Sequence, residues 1–97
     1  MLTGTCHCGG IHFELPGRIL RFSRCHCDDC RRISGADYNS ALVAESASFC
    51  LTRGADLLTA YESSPGKHRC FCKVCGTPIV ARMKARPEIV IVRAGVI

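Results

Sequence analysis

A chain of 97 residues with nine cysteines and no tryptophan is small enough that an apolar core alone leaves it marginally stable, and its cysteine content points to a covalent or metallic staple. Its longest apolar run, Ile89 to Val92, is far too short for a membrane-spanning helix. The formal charge of +5 counts every cysteine as neutral; seven thiolates on two dications would leave only about +2, and the dispersed Lys and Arg residues argue against a nucleic-acid binder.

The opening MLTGTCHCGG has neither the basic nor the apolar stretch of a secretion signal, so the expected compartment is the reducing cytoplasm, with metal favoured over disulfides. In chain order, Ile11, Phe13 and Leu15 alternate with His12 and Glu14 as a half-buried strand does, and Pro16-Gly17 turns the chain into a second strand around Arg18 to Arg24. Asp28 to Ser34 is the one helical segment expected. Asp28 and Asp29 suit its start, Arg31 and Arg32 its last turn, and Gly35 its stop. Tyr38 to Ala44 and Ser48 to Arg53 read as strands, with Gly54 as punctuation. Leu57 to Glu62 and Lys67 to Phe71 form a hairpin across Ser63-Ser64-Pro65-Gly66, and Ile79 to Met83 and Glu88 to Val92 close the chain. Short strands at this spacing predict one all-β domain over residues 1–97, its strand ends pinned by metal.

Two hexapeptides, Cys25-His-Cys-Asp-Asp-Cys30 and Cys70-Phe-Cys-Lys-Val-Cys75, share the spacing C-x-C-x-x-C. A closed four-thiolate site takes two short pairs from distant parts of the chain, which Cys6 and Cys8 with Cys72 and Cys75 supply; Gly76 follows directly and can turn backbone amides towards the sulfurs. Cys25, Cys27 and Cys30 then remain as three ligands crowded on one side of a metal, with a fourth position left open. Two other arrangements stay open on spacing alone. Cys70, Cys72 and Cys75 are the three-ligand unit if Cys6 and Cys8 pair with Cys27 and Cys30. Alternatively, both sites are structural, with Cys50 or a histidine completing the second. His26, between two of these cysteines, has a chemistry suited to proton transfer, whereas His7, His12 and His68 carry no specific signal. Cys50 and Cys70, if not ligands, are expected to be small buried apolar groups.

The ordered set GTCHCGG at 4–10, CHCDDCRR at 25–32, SGA at 34–36, YESSPGK at 61–67 and FCKVCGT at 71–77 resembles the glutathione-dependent formaldehyde-activating enzyme family, also called the S-(hydroxymethyl)glutathione synthase or CENP-V/GFA family. The resemblance runs from about residue 3 to residue 95 and implies the Mss4-like β-tent, short antiparallel sheets stapled by zinc knuckles. It also implies two zinc ions per chain, a structural one on Cys6, Cys8, Cys72 and Cys75 and a catalytic one on Cys25, Cys27 and Cys30. The implied activity is that of a carbon–sulfur lyase: a thiol such as glutathione binds at the open position and adds to a small aldehyde such as formaldehyde. The alternative from another class is a non-catalytic zinc module that binds a protein or nucleic acid, and the fourth ligand of the second site discriminates the two.

Three thiolates on one dication carry a net negative charge, and a fourth thiolate needs cations nearby; Arg31 and Arg32, with Arg24, are the sequence candidates for contacts to the substrate. Relatives commonly continue past the equivalent of Ala94-Gly95. The nearly continuous apolar run Glu88 to Val92 is therefore expected to be an uncovered edge, to recruit a second copy as a homodimer, and to accompany weak turnover of glutathione with formaldehyde.

Overall fold

In the computed structural model, which describes residues 1–97, nine strands form two antiparallel sheets around one apolar cluster. The smaller sheet has β1 (Leu2–Thr5), β2 (His12–Leu15) and β5 (Cys50–Arg53) in the order β1-β2-β5. The larger has β3 (Ile19–Cys25), β4 (Asn39–Glu45), β6 (Leu58–Ser64), β7 (Lys67–Cys72), β8 (Pro78–Met83) and β9 (Arg86–Arg93), in the order β3-β4-β9-β8-β7-β6. The single helix, α1, spans Asp28–Ser34 between β3 and β4. This is the all-β architecture expected of an Mss4-like β-tent.

The alternation read from Ile11, Phe13 and Leu15 is what joins the sheets: all three are buried and point to the larger sheet, while His12 is exposed. Phe13 packs its ring 5.1 Å from that of Phe49. Opposite it, one face of the larger sheet is an apolar row, because Leu42, Val92, Val80 and Cys70 are cross-strand partners from β4 through β9 and β8 to β7. All of them belong to the core cluster.

The opposite face has a different character. Its row runs Val43, Ile91, Ala81, Arg69 and Tyr61 across β4, β9, β8, β7 and β6. One step along the strands, Arg93 pairs with Ala41 and Asn39 pairs with Cys25. Two buried arginines, Arg69 and Arg93, therefore lie on the face that holds the end of β3 and the start of α1.

Several sequence expectations change. The run Glu88 to Val92 is not an edge: β9 lies between β4 and β8, which hydrogen-bond both of its sides, and Ile89, Val90 and Val92 are buried. The open edges of the larger sheet are β3 and β6, and β3 carries the exposed apolar residues Leu20 and Phe22. Strand β1 has no alternating apolar pattern and escapes a reading by periodicity. The serines of the hairpin belong to β6 up to Ser64, so the turn tightens to Pro65 and Gly66. No helix is long and apolar enough to cross a membrane.

Because Phe13 fills the space between the sheets, Phe13→Ala should lower unfolding free energy by about 3–5 kcal/mol. Denaturant titration checks this, and an unchanged midpoint would contradict the packing described.

Candidate metal centres

The four-sulfur group is assembled by two knuckles of the same construction. In the first, the Cys6 amide donates to the Ile11 carbonyl at 3.2 Å, and the Gly9 amide donates to the Cys6 carbonyl at 3.1 Å. In the second, the Cys72 amide donates to the Thr77 carbonyl at 3.0 Å, and the Gly76 amide donates to the Cys72 carbonyl at 2.8 Å. Each knuckle needs one residue at positive φ, and glycine supplies it: Gly9 at 77° and Gly76 at 80°. These turns bring the Sγ atoms of Cys6, Cys8, Cys72 and Cys75 within 4.8 Å of one another.

The spacing within the group fits a tetrahedral thiophilic ion. Cys6 and Cys8 sulfurs are 3.5 Å apart, and those of Cys8 and Cys72 are 3.8 Å apart. Tetrahedral zinc with bonds of about 2.3 Å separates its sulfurs by about 3.8 Å, whereas a disulfide holds them at about 2.05 Å. The group also crowds its protons. Hydrogen bonding from Thr77 and from the Cys8 and Thr77 amides brings Cys75 down to about 5. Cys8 is pushed up to about 11: the Gly10 amide works the other way, but the neighbouring Cys6 thiol, burial, and the Cys75 and Cys72 thiols outweigh it. A dication held by the four sulfurs would resolve this unequal sharing by deprotonating all of them.

Thr77 was not a sequence candidate, yet it links the two knuckles. Its hydroxyl accepts the His7 amide at 3.1 Å and lies 3.2 Å from Cys75 Sγ. With its oxygen already accepting, its proton is free for the sulfur.

The second group has another construction, although its hexapeptide looks the same. Cys25 ends β3, Cys27 caps α1, and Cys30 lies in the helix's first turn. The Cys27 sulfur accepts the Cys30 amide at 3.4 Å, so the N-cap is this cysteine rather than Asp28. Gly35 ends the helix as expected, at φ 70° with its amide on the Arg31 carbonyl. The three sulfurs lie within 4.8 Å of one another, and no fourth His, Cys, Asp or Glu ligand atom joins them. Cys27 is exposed, Cys25 is half-buried and Cys30 is buried, so the group opens to solvent on one side.

The arginines named from the sequence lie at the surface. Arg31 pairs with Asp28 at the surface, Arg32 is exposed, and Arg24 lies over the Tyr38 ring at 5.2 Å. The buried ones are Arg69 and Arg93, each only 5 % exposed. Arg69 donates Nε to Ser63 Oγ at 2.8 Å and presents Nη1 and Nη2 to Cys30 Sγ, both at 3.8 Å. Burial pushes the Cys30 thiol up and the Cys25 thiol beside it adds to the rise, while Arg69 opposes both. Cys25 is held at about 7, chiefly by hydrogen bonding from Cys30 and from the Cys27 amide and thiol. Sequence reasoning misses both arginines: Arg69 directly precedes Cys70, in the motif assigned to the other group, and Arg93 lies in no cysteine motif.

Cys70 and Cys50 stand outside both groups. Cys70 faces the core from β7 with the thiol pushed up by burial, whereas Cys50 is exposed on β5, contrary to the expectation that it is buried. His26 is exposed beside the second group, its ring 5.4 Å from that of Tyr38.

The sequence profile of the family described as glutathione-dependent formaldehyde-activating enzyme matches residues 1–97. The chain belongs to this family. A Halomonas elongata protein that carries the same family name is 29 % identical over 97 aligned positions, covering 93 % of this chain. The chain spans only 61 % of that relative's length. A crystal structure of a Rhodobacter sphaeroides protein superposes with a TM-score of 0.82 at 29 % identity, over 99 % of this chain and 87 % of that one. Both knuckles and the helix-capping cysteine of this family member thus belong to a fold already seen in a solved structure.

The two cysteines outside the groups should differ in reactivity. An alkylating reagent at neutral pH should label Cys50 well before Cys70, since burial removes both access and thiolate from the latter. Peptide mass mapping over time checks the order, and earlier labelling at Cys70 would contradict its placement in the core.

Proposed function

We propose that the chain is a zinc-dependent enzyme with a closed structural zinc on Cys6, Cys8, Cys72 and Cys75 and a reactive one on Cys25, Cys27 and Cys30. Its reaction is the addition of a thiol such as glutathione to a small aldehyde such as formaldehyde, of the carbon–sulfur lyase class. The observation that carries this reading is the three-sulfur group, open to solvent on one side, without a fourth protein ligand and backed by buried arginines. A scaffold site would be completed by the protein itself.

A dication held by Cys25, Cys27 and Cys30 would supply the Lewis acidity that lowers the pKa of a thiol in the open position. The residues around it do the rest. Cys30 is fixed by its place in α1 and by the two Arg69 donors, so the open position keeps a set direction. A cleft of about 290 Å³ alongside the helix, walled by Ile33, Tyr61, Arg69, Phe71 and Pro78, offers the carrier an apolar seat with one cation. In the net reaction the sulfur–hydrogen bond breaks and the sulfur–carbon bond forms, and the carbonyl π electrons become a lone pair on oxygen. That oxygen takes up a proton to give the hydroxymethyl thioether. His26, exposed and between Cys25 and Cys27 in sequence, is the candidate to carry the thiol's proton away and return one to the product oxygen.

Elemental analysis of freshly purified protein should give two zinc ions per chain. Cys75→Ser should abolish folding, because a structural zinc contributes on the order of 10 kcal/mol, comparable to a whole domain's stability. Cys30→Ser should fold, retain one zinc and lose turnover of glutathione with formaldehyde. A folded, active Cys30→Ser protein would overturn the assignment of the open site, and a Cys75→Ser protein that folds normally would overturn the structural role of the closed one.

A further inference from the structure

The least explained group in the molecule is the guanidinium of Arg93. Its Nε, Nη1 and Nη2 are all buried and none has a hydrogen-bond partner. Arg69, on the same sheet face two strands away, has only the Ser63 hydroxyl and the Cys30 sulfur. Neither arginine takes part in an ion pair with Asp or Glu; the three ion pairs present are surface contacts of other residues. An arginine cannot shed its proton to escape burial, so two buried cations on one sheet face without a carboxylate require negative charge from elsewhere. The three-cysteine group on the same face is a source: Arg69 meets Cys30 Sγ directly, and Arg93 pairs with Ala41 on β4, two residues along from Asn39, which pairs with Cys25.

The charges can be counted. Three thiolates on a dication carry one net negative charge, and the two arginines carry two positive ones. With a neutral donor in the fourth position, one buried positive charge stays uncompensated. With an anionic donor, the assembly is neutral. We propose that Arg69 and Arg93 set the ligand class of this site: its fourth position takes an anion, a thiolate foremost, and discriminates against neutral donors of similar size. The inference rests on the reading of Cys25, Cys27 and Cys30 as a metal site and adds to it the source of its selectivity. It also accounts for Arg93 without a contact of its own, since a cation fixed at the end of β9 acts on the site through space.

The test uses cobalt(II) in place of zinc, because its visible spectrum reports the fourth ligand directly. The loaded protein is titrated with thiocyanate, a monoanion, and with imidazole at mildly alkaline pH, where it is a neutral donor. Arg93→Met removes the charge and keeps an apolar volume in the same place. It should weaken thiocyanate binding by roughly tenfold, as expected for one charge removed at short range in a partly buried site, and change imidazole binding by less than about twofold. Arg93→Lys should retain the preference for the anion. If Arg93→Met does not fold, Arg93→Gln is read in the same way. Equal weakening of both ligands, or no weakening of either, would overturn the inference while leaving the metal site in place. Failure of Cys30→Ser to remove one of the two cobalt ions would instead take down the site reading and the inference together.

Discussion

The convergence of four sulfurs from opposite ends of the chain is the constraint on which the other features rest. Cys8 and Cys72 are 64 positions apart in sequence, yet their Sγ atoms lie 3.8 Å apart. Closing a loop of that length costs chain entropy, and a domain of this size has only a small margin of apolar burial to offset it. The first knuckle joins β1 to β2, and the second joins β7 to β8, so fastening them fixes the small sheet against the large one. Ile11, which follows the first knuckle, is fully buried at that junction, and its amide donates to Cys6 Sγ at 3.3 Å. Thr77 adds a direct link from one knuckle to the other.

That junction leaves the larger sheet with two faces of different chemistry. The face turned to β2 is a continuous apolar layer built from Leu42, Val92, Val80 and Cys70. The other is partly covered by one short helix and keeps polar groups at low exposure: Asn39, Arg69 and Arg93 are its buried polar residues. A β-sheet separates alternate residues by construction, so a domain of nine strands can hold a dry core and a charged site within one layer of backbone. The sulfurs of the second group lie where β3 gives way to α1, where a cap residue's side chain is already turned towards the helix's free amides.

The strands, the helix and the grouping of the cysteines are largely legible in the sequence, and the reasons are local. Ile11, Phe13 and Leu15 announce their strand by period, and α1 by its acidic start and its glycine stop. The sulfurs announce themselves by spacing, because a chelating pair must lie within one turn of chain. Long-range placement is not legible in this way. The run Glu88 to Val92 has the same apolar character whether it is an uncovered edge or an interior strand, and only the partners β4 and β8 decide. Cys70 and Cys72 both face inward from β7, but only Cys72 reaches the knuckle, a difference that depends on where the strand ends. Arg69 and Arg93 look like ordinary strand arginines until the register puts both of them on the face of the three-cysteine group, two strands apart. Arg31 and Arg32, adjacent to the motif in sequence, turn out to project from the exposed side of α1.

The central claim is that one sulfur group is closed and the other accepts a thiol from solution. Replacing zinc by the NMR-active isotope of cadmium tests it most directly, because cadmium chemical shift follows the number of bound sulfurs. The account predicts two resonances, of which one is unmoved by added glutathione while the other shifts to the position of a four-sulfur site. Two resonances that both ignore glutathione, or a single resonance in the fully loaded protein, would contradict it.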